Sequence, residues 1–295
     1  MAISKSTSAV LKDVCALSRD GKFVEASKLI FDVAQISADE QKEIPVAEMS
    51  DYIQKKCKHP NVRKMMQVVR AFWSLSDLYY REKEPDAYEA KSCIDNLEKI
   101  LPILNKEQQL FVKYWQSNCY MHADEGNDEV RYNLLMEVMS GTAKGKNSSL
   151  MSSCAAKIND MDISVKEKYE GLKLAKSKMN TKHPIYHSYD DVLGKYAQKY
   201  YSNLLEDAGD NRFSYEERNE TYDKAFEVVN DFKASLTSKN KSKLTVLERQ
   251  ILLQQSHNDK DKLLETRRKK KNILVQLDII RKKTTPYNKD ETWYG

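Results

Sequence analysis

Helix-breaking residues are scarce in this chain of 295 residues, which holds eight glycines and six prolines. Compact β proteins turn often and draw on both residue types to do so. A chain this poor in turn residues must build its core from long helices joined by short polar connections. Apolar residues duly fall at helical spacings. Val10, Val14 and Leu17 share one face. After a break at Asp20-Gly21, Phe23, Ala26, Ile30 and Val33 share another. Two amphipathic helices about a tight Gly turn make an antiparallel hairpin.

The pattern returns along the chain. Met65 to Tyr80 carries Phe72, Trp73 and Leu78, and a polar loop from Arg81 to Pro85 follows. Ala90, Ile94 and Leu97 then share a face that Pro102 closes. Phe111, Trp115, Cys119 and Tyr120 mark a further helix, and Val130, Leu134 and Val138 continue beyond a break at Glu125-Gly126. Ser164-x-x-Glu167, Ser214-x-x-Glu217 and Thr245-x-x-Glu248 have the spelling of capping boxes, in which the hydroxyl accepts from an orphan N–H and the Glu reaches back. Tyr222, Ala225, Phe226, Val229 and Phe232 form the core face after Ser214. The expectation is an all-α fold of about a dozen helices with short connections. Its antiparallel hairpins stack as an irregular α-α solenoid. The longest loop, Gly141 to Ser149, divides it. Hairpins are expected over 1–140 and 150–240, a basic helical segment over 241–283 and a polar tail over 284–295.

The run Gly21-x-Phe23-x-x-Ala26-x-x-x-Ile30-x-x-Val33 resembles the second half of a tetratricopeptide repeat. The hairpin around Trp73 is similar: Trp73 and Tyr80 match the aromatic positions of the first helix, Ala90, Ile94 and Leu97 those of the second, and Pro102 the closing Pro, with one extra loop residue. The two hairpins are not separated by a whole number of repeats, so the array is degenerate. The resemblance implies a protein that binds peptides or proteins in a concave groove, without catalytic residues or cofactor.

Apolar residues make up 40% of the chain and charged residues 32%, too much apolar content for a disordered polymer. The five cysteines are widely spaced with no C-x-x-C pair, which reads as scattered thiols in a reducing compartment. The start, MAISKSTSAV, has no apolar run of a secretory signal, and no stretch approaches the roughly 20 apolar residues of a membrane span. A cytoplasmic location is expected.

Candidate chemistry is thin. Gly141-Thr-Ala-Lys-Gly145-Lys146-Asn147 is one residue short of a phosphate-binding loop and follows a helix, so it reads as a flexible solvated connector. His187, Asp190 and Asp191 could share a helix face, but Pro184 separates them from His183, and the segment reads as a helix start favoured by the dipole. No nucleophile elbow or catalytic Cys context occurs. No metal or cofactor site is expected, and the chain reads as a non-enzyme.

Charge is the informative signal. From Lys239 to Lys283 there are 14 Lys/Arg against five Asp/Glu, a net +9, which leaves the rest at −4 within an overall +5. The cations concentrate in Arg267-Arg268-Lys269-Lys270-Lys271 and Arg281-Lys282-Lys283, on either side of Ile273, Leu274, Leu277 and Ile280. Five consecutive cations ring a helix and repel one another unless something neutralises them. Three readings follow: a terminal helix whose Ile/Leu face caps the stack, a contact for RNA or DNA phosphates, or a nuclear address. The leading function is a scaffold or adaptor for a protein partner. The alternatives are a nucleic-acid binder using the basic segment and an enzyme of unrecognised type.

Overall fold

The computed structural model describes residues 5–22, 25–26, 29, 53–56, 59, 61–64, 66–67, 70–71, 86–123 and 127–284. The described residues are mostly helical, without a strand. Ten α-helices have defined bounds: α1 Lys5–Arg19, α2 Ala87–Ile100, α3 Lys106–Ala123, α4 Asp128–Gly141, α5 Ser148–Asp160, α6 Val165–Lys178, α7 Tyr189–Gly209, α8 Tyr215–Val228, α9 Leu236–Ser256 and α10 Lys260–Thr284. The chain forms two compact units, Met1–Ile163 with Leu174–Thr181, and Ser164–Lys173 with Lys182–Gly295.

Within each unit, packing runs between sequence neighbours: α2 on α3, α3 on α4 and α4 on α5 in the first, α7 on α8, α8 on α9 and α9 on α10 in the second. That is the contact pattern of a solenoid built from helical hairpins. Cross-helix ties show the antiparallel sense, because their residue numbers converge on each loop. Lys113 pairs with Glu137 and the Arg131 Nε donates to Ser117 O at 3.3 Å across α3–α4. Lys270 pairs with Glu248 at 2.8 Å across α9–α10.

Local signals explain the ends. Asp86 and Glu89 form a capping box on α2, Ser164 and Glu167 on α6, and Ser214 and Glu217 on α8. Thr245 does not cap. Ser235 caps α9 ten residues earlier, and the Thr245 hydroxyl donates to Lys241 O inside the helix. Gly21, at φ +74°, closes α1: its N–H donates to Ser18 O and that of Lys22 to Leu17 O, a Schellman closure that favours Gly. Ala26 and Ala90 are fully buried, and Pro102 sits exposed in a 3₁₀ turn directly after α2. Phe23, Trp73 and Tyr80 lie outside the described residues.

The core of the first unit gathers Leu11, Val14, Ile94, Leu97, Ile100 and Val112. Full burial of one such side chain stabilises by about 1.5–3 kcal/mol. In α4 the buried face is Tyr132, Leu135, Val138 and Met139. The expected Val130–Leu134–Val138 stripe is rotated from it, and Val130 is exposed. The connector at Gly141–Ser149 is not free. Gly145 N donates to Lys178 O at 2.7 Å, the Lys178 ammonium donates to Ser140 O and Thr142 O, and Asn147 caps α5. The cation thereby neutralises the carbonyl end of α4. Cys15 is disulfide-bonded, which departs from the expectation of isolated thiols, whereas Cys93, Cys119 and Cys154 are free.

Candidate functional site

The basic segment is an antiparallel hairpin of α9 and α10. Asn258 makes the turn at φ +57°, a left-handed conformation that Asn tolerates better than most residues. Its N–H donates to Gln255 O and that of Asp259 to Gln254 O, the closure that Gly21 gives α1. Asp259 then starts α10 by accepting from Lys262 N at 3.1 Å. The Tyr215 hydroxyl donates to Asp259 at 2.6 Å, and the Tyr215 ring stacks on His257 with centroids 4.5 Å apart. The hydrogen bond from Tyr215, aided by Lys262, holds the Asp259 carboxyl below the usual carboxylate range. Burial, then the bond to Asp259, raises the Tyr215 phenol.

The inward face of α10 is Thr266 and Ile273, both buried, flanked by the half-buried Leu277 and Ile280. The sequence predicted Leu274 on this face. It is outside, and Thr266 takes part instead, because the packed stripe runs through the residue directly before the basic run.

That rotation sorts the cations. Lys269 and Lys270 flank the packed face. Lys269 meets Glu265 at 2.9 Å and Asp223 of α8 at 4.0 Å, and Lys270 meets Glu248 of α9. The Glu265 carboxylate raises the Lys269 pKa and is itself lowered. Lys282 pairs with Asp278 at 2.8 Å. Arg281 is exposed, and the side chain of Lys283 lies outside the description, as do residues 285–295 with Trp293 and Tyr294. Arg267, Arg268 and Lys271 are exposed and meet no carboxylate among the described residues.

No family model and no curated protein matches this chain.

The three cations share the outward face of α10 with apolar residues outside the predicted Ile/Leu stripe. Leu264 is 52% exposed, Val275 51% and Ile279 48%, and Leu274 adjoins them at 48%. At 100° per residue, Leu264, Arg268, Lys271, Val275, Ile279 and Lys282 fall within one half of the helix circumference. The signal was available in the spacing, but only once the buried face was known. This face can offer charge-assisted hydrogen bonds beside aliphatic contact area.

The other sequence candidates have local structural roles. The His183 ring accepts from Ile185 N at 3.4 Å, and His187 lies 3.3 Å from Asp190 at the start of α7. Among the described residues no group of three or more His, Cys, Asp or Glu could hold a metal ion. No described helix is long and apolar enough to cross a membrane.

Proposed function

We propose that the chain is a non-catalytic interaction scaffold whose docking element is the outward face of α10, and that its partner is an acidic protein surface with apolar residues of its own. The observation that carries this reading is the mixture on that face. Arg267, Arg268 and Lys271 meet no carboxylate among the described residues and stand among exposed Leu264, Val275 and Ile279. An exposed apolar stripe is costly in water unless something covers it. The cations select an acidic cover. The sequence resemblance of the Gly21 and Trp73 stretches to tetratricopeptide repeats also supports a binding protein.

RNA is the second reading, because three free cations within five residues suit a polyanion. Phosphates would use the cations and leave the aliphatics idle, and α10 contains no aromatic residue on which a base could stack. Two variants of the full chain separate the readings: Arg267→Glu/Arg268→Glu/Lys271→Glu, and Leu264→Ser/Val275→Ser/Ile279→Ser. A protein partner recovered with the wild type is lost by both. RNA retention is lost by the charge variant alone, with a log affinity linear in log salt. Loss of RNA by the first variant, with no protein partner lost by the second, sinks the scaffold reading.

A further inference from the structure

Cys93 on α2 and Cys119 on α3 lie within the apolar core of the first unit with their sulfurs 3.4 Å apart, 26 residues apart in sequence. Both are buried free thiols. A disulfide bond is about 2.05 Å long. The sulfurs therefore need to approach by roughly 1.3 Å, within reach of small side-chain rotations of both residues. Cys154 is equally buried and has no second thiol against it among the described residues, so it is an internal control.

We propose that Cys93 and Cys119 are an oxidisable dithiol, which a low-molecular-weight disulfide such as oxidised glutathione converts into a bond tying α2 to α3. One protein thiolate attacks the glutathione disulfide, breaks its S–S bond and releases one glutathione thiolate. The other protein thiolate then attacks the protein sulfur of that mixed disulfide. The protein S–S bond forms, and the second glutathione leaves. The dithiol loses two electrons and two protons; glutathione disulfide gains both and departs as two thiols.

The packing controls the rate. The S–H of Cys119 donates to Cys93, and this bond and then burial hold the Cys119 thiol far above its ordinary range. Attack therefore starts from a locally opened α2–α3 pair, and closure brings the second sulfur onto the first. The product closes a loop that restricts the unfolded chain.

The test uses the full chain in a glutathione redox buffer at neutral pH, with urea below the unfolding midpoint to raise the opening rate. Alkylation traps free thiols, and non-reducing peptide mapping reads the pairs. The expected product has lost two hydrogens, joins the Cys93 and Cys119 peptides and leaves Cys154 alkylated. Its melting temperature is higher by roughly 5–10 °C, and reductant reverses the gain. Cys154→Ser still gives the bond, and Cys119→Ser stops at a glutathione adduct or a free thiol. Refolding from full denaturant in the same buffer removes the access barrier. The proposal is overturned if Cys93 and Cys119 are then alkylated, or joined to other cysteines.

Discussion

Helix α2 packs on α3, and α9 packs on α8 and α10, yet α2 and α9 bury different material. Every buried residue of α2 is apolar: Ala90, Cys93, Ile94, Leu97 and Ile100. Three of the six buried residues of α9 are amides, Asn240, Gln250 and Gln254, beside Val246, Leu247 and Leu253. The Gln250 amide donates to Asn219 Oδ1 at 3.2 Å and to Asp223 at 3.1 Å, and that of Gln254 to Asn219 Oδ1 at 2.8 Å. The oxygens Gln250 Oε1 and Gln254 Oε1 are buried without a hydrogen-bond partner among the described residues. Apolar burial stabilises without direction and tolerates small shifts. Buried amides contribute little net energy but penalise any register that breaks their pairing. The first arrangement holds its helices together; the second chiefly fixes where α9 lies on α8. A fixed α9 in turn determines which cations of α10 meet carboxylates and which face outward.

Leu97→Ala removes a fully buried side chain from a helix whose buried residues are all apolar. A loss of about 2–5 kcal/mol in urea unfolding is expected. A loss under 1 kcal/mol would mean that this packing is loose and that the contrast with α9 is misdrawn.

The amide side predicts a smaller and non-additive effect. Asn219→Leu strips the acceptor from Gln254 and one acceptor from Gln250, leaving buried donors, at a cost of about 1–3 kcal/mol. Adding Gln250→Leu and Gln254→Leu removes the orphaned groups and should restore most of the stability. Costs that simply add across the three substitutions would show that these residues do not act as one network.

Fold class was legible in the sequence because it rests on what helices need and turns require. The Ser164 and Ser214 caps were legible because a capping box is local. Thr245-x-x-Glu248 has the same spelling, but Ser235 starts the helix before it, and only the neighbouring packing says which start is used. Asp86-x-x-Glu89 caps as well and was overlooked because its cap is not a hydroxyl. The rotation of α4 was missed because apolar residues surround much of that helix, so several stripes fit the pattern. The basic run was plain as charge. Its division into paired Lys269 and Lys270 and free Arg267, Arg268 and Lys271 was not, because Asp223 and Glu248 come from other helices.

The smallest effect is the most specific to the C-terminal hairpin. Asp259 and Glu265 both titrate below the ordinary carboxylate range, Asp259 through the Tyr215 hydroxyl and Glu265 through Lys269. A carboxylate with a depressed folded-state pKa contributes stability in full above its unfolded value, about 4, and loses it as pH falls through the lower folded value. Acid should therefore loosen the hairpin below about pH 4. Helix α3 starts instead on Asn105 and Gln108, whose amide side chains do not titrate. Amide hydrogen exchange read at pH 6 and pH 3, after correction for intrinsic rates, should show α10 losing protection more than α3. In Tyr215→Phe the Asp259 carboxyl loses the donor that depresses it most. The difference between this variant and the wild type must then shrink as pH falls from 6 to 3, since a protonated Asp259 has less use for that donor. A difference that stays constant over this range would place the role of Tyr215 in its stacking on His257 rather than in its bond to Asp259.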